Sequence, residues 1–83
     1  MQVVLWAWSA TAPFFVMPFS DRAGGIPIHG LALCRAPRGT SVYRFSCTEA
    51  WEVANDSEWP SVEQARQAPS SQYDVSAVAW QAW

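Results

Sequence analysis

Two neighbouring segments near the N-terminus are apolar whichever way a strand's alternation is read. In Gln2–Trp8, Trp6 and Trp8 share one parity and Val3 and Leu5 the other. In Phe14–Phe19, Phe15, Met17 and Phe19 alternate with Phe14 and Val16. Their β-branched and aromatic content marks both as strands. A strand that is apolar on both faces has to be central in a sheet or covered. The remainder of the chain offers one short helix, and one helix covers only one face. The other face needs a fold-over of the sheet or a partner.

Length narrows the options further. The 83 residues form a single domain, 1–83, with one modest core. A chain of this size hides only about 63% of its unfolded surface and keeps roughly 4,900 Å² exposed. That leaves no room for a cofactor domain beside a catalytic one. The hydrophobic share of 51% is that of a globular chain rather than a disordered one. Charged residues make up 14%, against roughly 25% in an average domain, so few charges oppose association.

The local signals run in order along the chain. Pro18 gives the second strand an edge position or a bulge. Asp21 to Gly25 has turn chemistry. Pro27 holds Ile26 extended and leads into a third strand, about Ile28 to Ala36. Ala36-Pro37-Arg38-Gly39-Thr40 then fits a three-residue hairpin loop, with Gly39 in the left-handed region. That loop pairs Ala36 with Thr40, Leu33 with Tyr43, Leu31 with Phe45 and His29 with Cys47, and so keeps apolar residues on one face. The alternative, shifted by one residue, would mix Leu31 and Leu33 with Arg44 and Ser46. A strand from Val42 to Ala54 would be too long, so a bulge or tight turn is expected near Thr48–Ala50. Asn55-Asp56-Ser57 reads as a turn. Ser61 with Gln64 makes a capping box for a helix ending near Ala68, before Pro69, with Val62, Ala65 and Ala68 as its apolar stripe. A last strand is expected over about Val75 to Gln81. The fold class is α+β: a mainly antiparallel sheet of five or six strands with one short helix near the C-terminus, in the order ββββ(β)αβ.

The net charge is −2, which disfavours nucleic acid as a partner. Four arginines and no acid lie between Arg22 and Cys47; six acids and only Arg66 follow. The simplest reading is that these halves face each other within one fold. No positively charged leader precedes the first apolar run, and Pro13 and Pro18 interrupt any membrane helix. Two cysteines are too few for a disulfide scaffold and fit a reduced, cytoplasmic thiol pair.

Chemistry has few candidates. His29, Cys34 and Cys47 are the only soft metal ligands, without zinc spacing, so neither a metal nor a cofactor is expected. In the register above, Cys34 and Cys47 lie on opposite faces. His29 opposite Cys47 would be a reactive pair for a cysteine enzyme, but no third residue orients the imidazole. The acids between Glu49 and Glu58 spread over both faces of any strand.

The six tryptophans are the unusual feature. Trp6, Trp8, Trp80 and Trp83 are expected to form an interface or ligand platform. The expected function is a non-enzymatic interaction or assembly module. It would form a homodimer through an aromatic sheet face, or meet another protein partner there, with no membrane involved. The alternative is a binder of a small ligand or carbohydrate on exposed Trp, and a cysteine-based enzyme using Cys47 and His29 comes third.

Overall fold

A computed structural model describes residues 1–19 and 22–83, with Arg22 followed in its backbone only. The strands are β1 (Gln2–Trp8), β2 (Phe15–Phe19), β3 (Arg22–Ile28), β4 (Gly30–Arg35), β5 (Val42–Cys47) and β6 (Val53–Trp59). Helix α1 (Val62–Gln67), a 3-10 turn at Val75–Ala77 and a two-residue strand β7 (Gln81–Ala82) complete the chain. The main sheet is antiparallel, in the order β6-β5-β4-β1-β7; β2 and β3 form a separate two-stranded sheet. The class is α+β, with six strands ahead of the helix.

Several elements fall where their residues direct them. β1 occupies Gln2–Trp8. Ser61 caps α1 from an extended backbone, its hydroxyl accepting from Gln64 N at 3.1 Å, and buried Ala65 faces the sheet. Gly39 has φ of +86°. A turn at Thr48–Glu52 divides the long extended stretch, closed by Trp51 N donating to Thr48 O and Thr48 N donating to Glu52 O. Pro18 has the edge position, since β2 and β3 make a two-stranded sheet, and it lies opposite a bulge in β3, where Ala23, Gly24 and Gly25 stand against this one residue between the pairs Met17–Ile26 and Phe19–Arg22.

Other expectations are corrected. Asp21 lies outside the described residues, and the rest of the expected turn, Ala23 to Gly25, belongs to β3. The expected third strand is really two. Ile28 still pairs with Phe15 in the small sheet, while Gly30 already pairs with Trp8 and Cys47 in the large one, so His29 is the crossing point. Asn55, Asp56 and Ser57 are not a turn. The reversal at Thr48 returns the chain along β5, and these polar residues form the edge strand β6, where few apolar groups are wanted. The expected last strand opens instead as a 3-10 turn, because Asp74 accepts from Ser76 N and buries Val75; only Gln81–Ala82 pair with β1.

The β4–β5 hairpin adopts the register that alternation argued against. Leu33 pairs with Arg44, Leu31 with Ser46, Ala32 with Phe45 and Cys34 with Tyr43. The loop has four residues rather than three, and Ala36 N donates to Ser41 O. Arg44 makes this register stable on the buried side. Its Nη1 donates to Ala65 O at 2.9 Å and to Ala68 O at 2.8 Å, satisfying carbonyls at the end of α1, and its guanidinium stacks on Trp59 at 5.0 Å. The basic segment thus meets the acidic one through helix carbonyls rather than through carboxylates at this point. A second correction follows from the register. Cys34 and Cys47 lie on the same face, yet both are free: four residues along a ladder separate Cys34 from Gly30, the partner of Cys47.

Among the described residues, the layering is on one side of the main sheet. There Leu33, Val42 and Ala65 form a buried cluster with Leu5, Trp59 and Val62 around it. Ala7, Phe15, Ile28 and Leu31 form a second, where the β2–β3 hairpin packs with Tyr73 and Val78. Trp80 packs against both clusters.

Candidate functional site

Among the described residues, neither helix nor hairpin lies on the opposite face of the main sheet. It is built from alternation in β4, where the large residues Leu31 and Leu33 point to the core and the small ones Gly30, Ala32 and Cys34 point away. The small side chains make a floor on which rings from the flanking strands can lie. Trp6 stands beside Ala32, Trp8 beside Gly30, and Phe45 and Tyr43 follow on β5. A bulge between Val3 and Leu5 turns Val3 to this same face, opposite Cys34, so Val3 and Leu5 no longer share a side as strict alternation would have them.

Trp51 completes the face from outside the strands. Its φ of +60° is in the left-handed region, rare for a bulky residue. The Thr48 hydroxyl holds this geometry by accepting from Ala50 N and Glu52 N, both at 3.2 Å. The result lays the indole over Gly30, stacked on Trp8 at 5.5 Å and edge-on to Trp6 at 6.4 Å. Strain in a surface loop that serves to place one aromatic ring is the kind of backbone outlier found at binding sites.

The structure divides the four expected platform residues. Trp6, Trp8 and Trp83 lie on the open face. Trp80 does not. In the extended C-terminal run Trp80 and Trp83 are an odd number of residues apart, so they project to opposite sides, and Trp80 is core. Trp51 and Val53 take its place on the face; Trp51 was not legible as a member, because its position depends on a left-handed residue. Between Val3, Trp6, Ala32, Trp51 and Trp83 runs an apolar cleft of about 400 Å³. Trp8, Trp51 and Trp83 are 39%, 43% and 79% exposed. With up to about 250 Å² per side chain, those three rings leave roughly 400 Å² of apolar surface open to water.

His29 and Cys47 are joined through the backbone, His29 N donating to Cys47 O at 3.0 Å. They are not assembled as a reactive pair. The His29 ring lies near Trp8, at 5.8 Å, with Nδ1 2.8 Å from Ser9 O, where it donates. Burial pushes the Cys47 thiol up to about 11, with a smaller contribution from Cys34. A thiol in that state is a poor nucleophile at neutral pH. Among the described residues no three His, Cys, Asp or Glu side chains converge as a metal site. No helix among them is long and apolar enough to cross a membrane.

Comparison with protein-family models, with curated proteins and with solved structures found no match to this chain.

Proposed function

We propose that the protein is a non-enzymatic assembly module that pairs with a second copy of itself through the aromatic face of its main sheet. The observation that carries this reading is the one-sided layering: the helix and both buried clusters lie on one face, and Trp6, Trp8, Trp51 and Trp83 occupy the other. Specific interfaces take roughly 800 Å² from each partner, and the three most exposed rings alone supply about half of that. A twofold contact presents the same patch on both copies, so one apolar face is enough to close it. Asp56 and Glu58, opposite Phe45 and Tyr43 on β6, put acidic groups at the margin of the face and argue against nucleic acid. The two free, buried thiols support a reducing, cytoplasmic setting.

The cleft favours a second reading, a small apolar ligand, since about 400 Å³ lies within the range of small-molecule sites. A carbohydrate fits less well. The cleft is lined by Val3, Trp6, Ala32, Trp51 and Trp83, which offer indole N–H groups but no carboxylate, amide or hydroxyl to orient a sugar. Isotope-filtered NMR on a mixture of labelled and unlabelled chain separates these readings. Assembly predicts intermolecular contacts to the indoles of Trp6, Trp51 and Trp83; their absence at high concentration, with the face still open, would leave the ligand reading.

A further inference from the structure

The cleft of about 400 Å³ on the aromatic face combines ring walls with a lining that has no hydrogen-bond acceptor in its side chains. We propose that it binds a small molecule carrying a quaternary ammonium group, of the trimethylammonium type. The inference rests on the ligand reading of that cleft and gives it a chemistry.

The walls are already in place. Trp6 and Trp51 border the cleft with their ring planes at 68°, so they form a corner rather than a stack. Trp8 stacks on Trp51 at 29° and backs that ring. Trp83 supplies a third ring, and Ala32 and Val3 the floor. Trp51 and Trp83 are both exposed, so a ligand can reach their rings. The face of an indole is negative and attracts a cation within about 6 Å of the ring centre. The left-handed backbone at Trp51 sets its ring beforehand, so binding has little left to order.

The lining selects the kind of cation. Its five side chains include no carboxylate, amide or hydroxyl. A primary ammonium would shed its water there and gain no acceptor in exchange. A quaternary ammonium has no N–H, and its charge is spread over methyl groups that pack against rings. A trimethylated lysine within a peptide would bring backbone amides for which this lining has no partner.

Charge separates this ligand from a neutral apolar one. On the strands of the main sheet, Arg35 and Arg44 alternate with Cys34 and Phe45 and so lie on the helix side. Asp56 and Glu58 pair with Phe45 and Tyr43 and lie on the aromatic side. Asp56, Phe45, Ala32 and Trp6 stand in one row across the sheet. Asp56 is therefore two strand spacings, about 10 Å, from the floor of the cleft, comparable to the screening length in 0.1 M salt. Acids at that range favour a cation in the cleft without having to bond to it.

The test follows the indole N–H signals of Trp6, Trp51 and Trp83 in NMR spectra of the full chain, kept dilute enough to be monomeric. Choline chloride is the probe and should shift them saturably at millimolar concentration. Its uncharged isostere, with carbon in place of the nitrogen, should bind about tenfold more weakly, and methylammonium should not saturate. Trp83→Leu keeps an apolar side chain but removes an exposed ring. It should weaken choline about tenfold and leave the isostere nearly unchanged. Equal affinity for choline and the isostere, a shift that grows linearly with choline, or a preference that survives Trp83→Leu undiminished would overturn the proposal. Methylammonium binding as tightly as choline would overturn the assignment to quaternary ammonium. Co-sedimentation with phosphatidylcholine vesicles in saturating choline would overturn the assignment to a small molecule. Self-association plays no part in the dilute titration, so a chain that never dimerises leaves a positive result standing, and a failure here leaves the dimer standing.

Discussion

At the scale of single residues, Gly30 decides where Trp51 can sit. A Cβ added at Gly30 would lie 2.7 Å from Cζ3 of the Trp51 ring, with two more ring carbons at 2.9 Å. The obstruction is the body of an indole, so the ring has to leave its place. Gly30→Ala should therefore cost about 1–3 kcal/mol in denaturant unfolding and weaken the stacking of Trp51 on Trp8, visible as changed tryptophan emission. Cys47 belongs to the same scale. Its thiol is raised from its ordinary value of 9.0 to about 11 in the folded chain, chiefly by burial. The fold favours the protonated thiol, so this contribution is fully present below pH 9 and is lost as pH rises towards 11. Stability followed by denaturant midpoint should fall across that window. Cys47→Ala should flatten the fall, and an unchanged slope would show that other groups cause it.

At the scale of elements, the chain shows where alternation is a sound guide and where it misleads. β1 and the capped helix were legible, because a run of β-branched and aromatic residues and a Ser-x-x-Gln box each state a local preference that packing does not reverse. The β4–β5 register was not. Alternation treats Arg44 as a surface residue, and here the fold buries it, because the end of α1 needs donors for its carbonyls. One buried arginine thus shifted the pairing by a residue and moved Cys34 and Cys47 onto one face. The face itself had a signal in Gly30-Leu31-Ala32-Leu33-Cys34, where small and large residues alternate, and in the odd spacing of Trp80 and Trp83. Trp51 had none, because a left-handed φ at a tryptophan cannot be read from residue type. Arg44→Met keeps the apolar stem and removes both hydrogen bonds to the helix. It should destabilise the protein by about 3 kcal/mol or more. Hydrogen exchange should show α1 opening first while β4 and β1 stay protected. Equal loss of protection throughout would mean that α1 and the sheet unfold as one unit.

For the whole molecule, the surface is 5292 Å², somewhat above the roughly 4,900 Å² expected for a monomer of this size. The excess fits a sheet layered on one side only, in a body 38 × 25 × 22 Å across. Trp80 and Trp83 separate folding from assembly within one short segment. Trp80→Ala removes a ring that packs against both buried clusters and should cost about 3–5 kcal/mol of stability. Trp83→Ala removes a ring that is 79% exposed and should leave the isolated chain's stability nearly unchanged. On the assembly reading it should weaken association by roughly a thousandfold, since the twofold contact loses the anchor from both copies at about 2 kcal/mol each. Sedimentation equilibrium over a dilution series of the native chain and Trp83→Ala is the most direct measurement. The account predicts a dimer that dissociates on dilution, with the midpoint moved to higher concentration in the variant; a native chain that stays monomeric up to millimolar concentration would contradict it.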